Sequence, residues 1–222
     1  MASYLNTYFD KIYCINLDRR PDRWKECEDV FAKHDLQVER VSAVDGNPDP
    51  ENIKMTATDN RIIKPGMIGC AMSHLKVCQL AKAGNYSQIL ILEDDIDFIE
   101  TLNQDFENYI LQVPANWQLL YTGGNHLGNH NVRSVSQNVV RIFNTYTTHF
   151  IGMKKGMFDM MIDRIPSKIT NPIDVIYAEW QRQFEAYCIV PHLSWQRTSY
   201  SDIENCVADY DKIVRGKDFH IN

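Results

Sequence analysis

Apolar positions along this chain recur with two periods. Three short runs are rich in strand formers: "KIYCINL" (11–17), "VERVSAV" (38–44) and "QILIL" (88–92). Between them the apolar spacing lengthens to that of a helix. Trp24, Cys27 or Glu28, and Phe31 predict a helix over 22–33, with Asp18 and Pro21 where an entry signal belongs. Ile68, Ala71, Met72, Leu75 and Cys78 form one stripe at three- and four-residue steps, predicting a second helix from Gly66 to Gly84. Asp45-Gly46 is a turn signal, and 47–66 is polar and reads as a loop. Strands alternating with helices predict an α/β fold whose sheet is covered by helices. Ligands of such sheets bind beyond the carboxyl ends of the strands. "NLDRR", "VDG" and "EDD" all fall at those predicted ends, so they should meet in space.

The second half is less regular. Residues 101–112 read as a helix, 117–122 as a strand, and 123–131 ("GGNHLGNHN") as a flexible loop. Strands are predicted at 139–143 and 148–153, helices at 155–164 and 173–184, and a last strand at 186–190, stopped by Pro191. From Ser194 the chain is polar and partly irregular. No repeat or linker divides the sequence, so 1–222 reads as one domain.

Composition narrows the function. The chain is 44% hydrophobic and 23% charged, ordinary for a globular protein. A net charge of −6 argues against nucleic acid as partner. "LDRRPDR" (17–23) is a local basic spot suited to a small anion. No secretory leader and no run of 18 apolar residues is visible, so a cytoplasmic protein without a transmembrane segment is expected. Six scattered cysteines without a CxxC pair read as buried or free thiols in a reducing compartment, and their spacing argues against zinc.

Four acids crowd the end of the third strand: Glu93, Asp94, Asp95 and Asp97. On a continuous extended backbone Glu93, Asp95 and Asp97 would share one side and Asp94 the other. Carboxylates two residues apart can grip a hard divalent cation, which also relieves their repulsion. A solvated strand end followed by an acidic helix cap is the plainer reading. Phosphoryl transfer through an aspartyl intermediate is a third, but the first acid here is Glu93 rather than Asp.

Several motifs, taken in order, resemble glycosyltransferase family 25, the bacterial lipopolysaccharide and collagen galactosyltransferases. They are "INLDRRPDRW" (15–24), "VSAVDG" (41–46), "GMIGCAMSHLKV" (66–77) and "LILEDDIDF" (90–98), with weaker echoes in "PID" (172–174), "VPHLSWQ" (190–196) and "SDI" (201–203). The resemblance covers roughly residues 10–205. It implies a GT-A-type, Rossmann-like fold with a mostly parallel central sheet flanked by helices. It also implies a UDP-sugar donor, usually UDP-galactose, and a divalent ion such as Mn²⁺ or Mg²⁺. A donor-binding half at about 10–98, an acceptor-side half at about 99–205 and an irregular tail at 206–222 follow. Asp97 falls where the family demands no acid, which ranks it below Asp95.

The resemblance assigns roles. Asp95 is the first metal ligand, with Glu93 beside it; Glu93 or Asp94 would bond the donor's ribose or a metal-bound water. Asn16, Arg19, Arg20 and Arg23 lie beyond the first strand, where guanidinium groups suit a diphosphate, though ion pairs to Asp18 and Asp22 compete. Asp45 would accept from the uracil or simply make its turn; Ser73 and His74 face the site or the core. Inversion at the anomeric carbon requires a base. Asp174 is the first choice, with a helix N-cap as its alternative, and Glu179 is the second. Gly69 should allow a close helix approach, while Gly123 and Gly124 leave backbone open to a sugar. His126 and His130 are loop residues that could touch the acceptor, and Gly128 between them argues against a helical metal site. His149 and His192 could complete the metal shell. The expectation is therefore a metal-dependent, inverting hexosyltransferase acting on a glycan, lipid-linked glycan or protein hydroxyl. A catalytically inactive nucleotide-sugar- or glycan-binding relative, or a Mg²⁺-dependent phosphohydrolase, are the alternatives.

Overall fold

The computed structural model describes residues 3–46, 64–128, 132–165, 169, 171–203 and 206–208. The polar loop 47–63, His130 and the tail beyond 208 lie outside the described residues. The chain opens with α1 (Tyr4–Tyr8), β1 (Lys11–Asn16), α2 (Pro21–Lys33), β2 (Glu39–Ser42), α3 (Pro65–Ala83), β3 (Gln88–Glu93), β4 (Ile96–Phe98) and α4 (Leu102–Ile110). It continues with β5 (Leu119–Tyr121), β6 (Asn125–His126), β7 (Val132–Ser136), β8 (Val139–Ile142), β9 (Thr145–Tyr146), β10 (Phe150–Lys154), α5 (Lys155–Arg164) and α6 (Ile173–Gln181). β11 (Ala186–Ile189), β12 (Ser194–Gln196), β13 (Ser199–Ser201) and β14 (Cys206–Ala208) complete the described elements.

Eight strands form the central sheet in the order β2-β1-β3-β10-β5-β11-β8-β7. β1, β2 and β3 are parallel, as are β5 and β11, while β10 and β8 run against their neighbours. The mostly parallel α/β architecture expected from the alternating pattern is therefore present. Strand alternation divides the core. Tyr13, Ile15, Ile89, Ile91, Leu119, Tyr121 and Ile151 face the layer of α3, α5 and α6. Ile12, Cys14, Leu90, Leu92, Leu120 and Phe150 face α1, α2 and α4. β3 is apolar on both faces because both are covered, and each such side chain contributes about 1.5–3 kcal/mol of burial.

Register sets up the site. Ile15 lies opposite Glu93, and Asn16 opposite Ser42, so three parallel strands end level with one another. Gly69 lets α3 approach the β2 exit: a Cβ there would lie 2.4 Å from the Val44 carbonyl oxygen. The acidic run does not continue as one strand. Asp94 and Asp95 form a turn between β3 and β4, so the predicted sharing of one side by Glu93, Asp95 and Asp97 does not hold. β4 pairs with β12, and Asp97 accepts from the Phe98 N–H at 2.8 Å, away from the other acids' partners. The stretch 123–131 is not wholly a loop either, since β6 pairs with β9.

Candidate active site

A cavity of about 720 Å³ opens at the level strand ends. Asn16 closes β1, with Arg19 and Arg23 beyond it; Asp45 follows β2; Glu93 closes β3, with Asp94 and Asp95 beyond it. Ser73 on α3 and Asp174 at the start of α6 complete the predicted residues that line it. Arg20, His74 and Glu179 are not among the lining residues.

Each acid is held differently. Asp94 accepts from Asn16 Nδ2 at 2.7 Å and pairs with Arg23 at 2.8 Å. Burial raises its pKa, with Arg23 and Asn16 opposing. Asp95 pairs through Oδ2 with Arg23 at 2.9 Å, while its buried Oδ1 has no partner among the described residues. Burial, opposed by Arg23 and aided by the charges of Glu93 and Asp94, pushes Asp95 up to about 6. Glu93 Oε1 accepts from Thr148 Oγ1 at 2.5 Å and lies 3.4 Å from His74 Nε2. Burial would raise the Glu93 pKa, but His74, Thr148 and His149 together bring it below the usual value.

The arginines are already engaged. Arg19 pairs with Asp45 at 2.8 Å and with Asp202. Arg20 pairs with Asp22 at 2.9 Å and Asp202 at 2.6 Å. Asp18 instead pairs with Arg40. Asp202, which lines the cavity from the segment after β13, was not singled out from sequence; its one signal was the weak "SDI" echo.

Along α3, Ser73 Oγ donates to the Gly69 carbonyl and accepts the Val44 N–H at 2.8 Å, fixing the loop that carries Asp45. His74 is fully buried, with Nδ1 3.0 Å from Tyr177 Oη. It reaches the site through Glu93. Asp174 occupies the first turn of α6, whose N-cap is Pro172, so Asp174 is not the cap. Its Oδ1 accepts the Val175 N–H at 2.8 Å, and burial raises its pKa. Glu179 instead pairs with Arg164 at 2.8 Å and accepts from Asn171, turned away from the cavity.

Several smaller expectations are corrected. Gly123 is bare because the Ser194 carbonyl oxygen would lie 2.1 Å from a Cβ, and Gly124 because of Thr145. Neither backbone is left open to a sugar. His126 is buried on β6, and His192 Nε2 lies 3.2 Å from its Nε2. His149 is buried against Ser194 Oγ at 3.2 Å. Thr147, at φ 87°, lines the cavity in a conformation that β-branched residues avoid, a feature with no sequence signal.

The oxygen donors and the unpartnered Asp95 Oδ1 fit a hard divalent ion held by one or two carboxylates, with remaining positions left to water or ligand oxygens. They do not form an all-protein cage. The groups of three potential ligands within 4.8 Å are Cys70–His74–Glu93 and His126–Cys188–His192, among the described residues. The six cysteines are free thiols. No helix among the described residues is long and apolar enough to cross a membrane.

Level parallel strands that deliver carboxylates and guanidinium groups into one cleft define an α/β protein with a polar ligand site at the strand ends. The sequence profile of glycosyltransferase family 25 (LPS biosynthesis protein) matches residues 9–168, which spans that cleft's first three strands and α3. The chain belongs to this family. It is 30% identical over 131 residues to a Drosophila melanogaster "Glycosyltransferase 25 family member", covering 53% of this chain and 21% of the relative. It is 31% identical over 130 residues to human "Procollagen galactosyltransferase 2", covering 52% and 21%. It is also 27% identical over 129 residues to human "Inactive glycosyltransferase 25 family member 3", covering 52% and 22%. The matches thus span about a fifth of these relatives' length, 21% and 22% in the human pair.

Proposed function

We propose that the chain is an inverting glycosyltransferase that moves a hexose, galactose first among them, from a UDP-sugar to an acceptor hydroxyl. The observation that carries the reading is the convergence of Asp95, Glu93, Asp94, Arg19 and Asp174 on one cavity. The acceptor is a glycan, a lipid-linked glycan or a protein side chain. Asp95 and Glu93 would hold Mn²⁺ or Mg²⁺, which when bound supplies positive charge against a leaving diphosphate. Asn16 and Arg23 fix Asp94 beside it. His74 and Thr148 hold Glu93 in its ionised form. Arg19 presents a bidentate donor for phosphate oxygens. Asp174 takes the acceptor proton; its raised pKa strengthens it as a base near neutral pH.

The test is UDP-galactose turnover with Mn²⁺, with and without simple saccharide acceptors, in wild type, Asp95→Asn and Asp174→Asn. The reading expects metal-dependent release of UDP that Asp95→Asn loses. A second reading has its own observation: Arg19, Arg20 and Arg23 all sit on acids of this chain, and three relatives are named inactive or probable inactive. Tight UDP-sugar binding without turnover would establish that reading and defeat the first. No observation favours the phosphohydrolase.

A further inference from the structure

Outside the acidic cleft, a second set of metal-ligating side chains meets. His126 comes from β6, Cys188 from β11, and His192 from the turn that follows β11. One ligating atom from each lies within 4.8 Å of the others. The spacing of these residues along the chain gives no hint of it, since the cysteine has no CxxC partner and Gly128 separates His126 from the next histidine. The fold supplies the proximity instead.

The two imidazoles are arranged as ligands of one ion would be. Their Nε2 atoms face each other at 3.2 Å, with ring planes inclined at 60°. Zinc–imidazole bonds of about 2.0–2.1 Å at a tetrahedral angle place two nitrogens about 3.3 Å apart. The outer ring nitrogen of His126 is also fixed. Thr145 Oγ1 lies 2.5 Å from Nδ1. Gln181 in turn holds Thr145, accepting its N–H at 2.7 Å and donating to its carbonyl at 2.8 Å. A partner on Nδ1 that leaves Nε2 for the ion is the outer-shell arrangement of metal-bound histidine. His126 and Cys188 are buried, and His192 is half-buried, which leaves the fourth side of the cluster within reach of water.

We propose that His126 Nε2, His192 Nε2 and Cys188 Sγ bind one borderline transition-metal ion of the Zn²⁺ class, leaving the fourth tetrahedral position to water. Binding releases the Cys188 thiol proton to solvent. Whichever ring carries the proton between the facing Nε2 atoms gives it up there and takes one at its own Nδ1, so both imidazoles stay neutral. The ion would fasten β6 to β11. β6 and its partner β9 carry Asn125 and Tyr146, which line the cleft. The ion is therefore a brace for one wall of the site, distinct from any ion on Asp95. This inference does not rest on the transferase reading.

The test uses the whole chain, stripped with a chelator and titrated with Co²⁺ and then Zn²⁺ without nucleotide. The thiolate-to-cobalt charge-transfer band should saturate at one equivalent of Co²⁺ for this site, and Zn²⁺ should displace it. Cys188→Ala should abolish the band, and His192→Ala should weaken binding at least tenfold (~10-fold or more). Thr145→Val, which removes only the outer contact, should weaken it by roughly 10–100-fold. Asp95→Asn should leave the band in place, which separates this site from the acidic cleft. Absence of a stoichiometric band in wild type overturns the proposal. So does a band that persists in Cys188→Ala, or unchanged affinity in His192→Ala. If Cys188→Ala does not fold, the half-buried His192→Ala decides alone.

Discussion

Replacing Asp95 by Asn should stabilise the metal-free protein at neutral and alkaline pH. The Asp95 side chain is 15% exposed, and its pKa is raised from 3.8 to about 6. Burial is the main cause; Arg23 opposes it, while Glu93 and Asp94 add to it. A carboxyl with a raised folded-state pKa acts opposite to the usual salt-bridged acid. Between 3.8 and about 6 the folded state binds more protons than the unfolded state, so stability falls as pH rises. Below that window the group contributes nothing; above it the full cost is present. A displacement of this size corresponds to about 3 kcal/mol. Asn mimics the neutral form, so the variant escapes the cost. The figure is an upper bound, because Arg23 keeps Asp94 but loses one of its two carboxylates.

For a chain of this length each kcal/mol moves the midpoint by ~2–4 °C, giving up to ~6–12 °C. The assay is thermal unfolding of wild type and Asp95→Asn in a chelator at about pH 3 and about pH 8, bracketing the titration. The two proteins should coincide near pH 3, and the variant should be more stable near pH 8. Adding Mn²⁺ should then raise the wild type more than the variant, which keeps Glu93 but lacks the Asp95 carboxylate. If Asp95→Asn is less stable at both pH values, or its advantage is the same at both, the burial argument is refuted.

Asp174→Asn should abolish turnover while keeping UDP affinity, whereas Glu179→Gln, on the Arg164 side of α6, should change turnover less than twofold (~2-fold at most). Steady-state kinetics of the pair decides which carboxylate serves. Gly69→Ala should destabilise the fold by about 1–3 kcal/mol in urea, because its Cβ meets the Val44 carbonyl and the Gly46 N–H. His149 titrates in the opposite sense to Asp95. Burial lowers its pKa from 6.5 to about 4, so the unfolded state takes the proton first and stability is lost as pH falls through that interval. His149→Gln should flatten the loss between those pH values in acid-unfolding curves; an unchanged slope would assign the acid sensitivity elsewhere.

What was legible in the sequence followed from periodicity strong enough to survive without context. β1, β3 and α3 are long, apolar and doubly covered, so their residues announce them. α1 is five residues long, and β7 is an edge strand with mostly exposed side chains, so neither carries a buried stripe to detect. The turn at Asp94–Asp95 was invisible for a different reason. It contains no Gly, Pro or Asn, and the apolar Ile96 and Phe98 beyond it keep the alternation of a continuing strand. The cleft's composition was readable because strand ends bring distant segments together by rule. The closing contributions of Thr148 and Asp202 were not, because each is defined by a partner far along the chain: Glu93 for one, Arg19 and Arg20 for the other.

Three neighbouring arginines were indistinguishable by sequence, yet their surroundings separate them. Arg19 is 49% exposed, and its ion pairs are of the kind worth at most ~1 kcal/mol. An incoming diphosphate can replace those carboxylates at little cost and gain bidentate contacts. Arg20, bound to the exposed Asp22 and to Asp202, is intermediate. Arg23 is only 10% exposed and spans Asp94 and Asp95, so removing the guanidinium itself would leave two carboxylates without their cation, at a cost of ~3–5 kcal/mol. On the proposed reading Arg23 is therefore a fixed counter-ion for the acidic turn, and Arg19 is the exchangeable anion contact. One guanidinium facing two carboxylates leaves a net negative charge, and Glu93 adds another. Two buried negative charges without a full complement of cations are unstable by themselves and favourable around a divalent one. On the proposed reading the same acids would attract the metal and, through it, the donor's phosphates. On that reading Arg19 would meet those phosphates by leaving Asp45 and Asp202, while Arg20 keeps its hold on Asp202 and on the segment after β13.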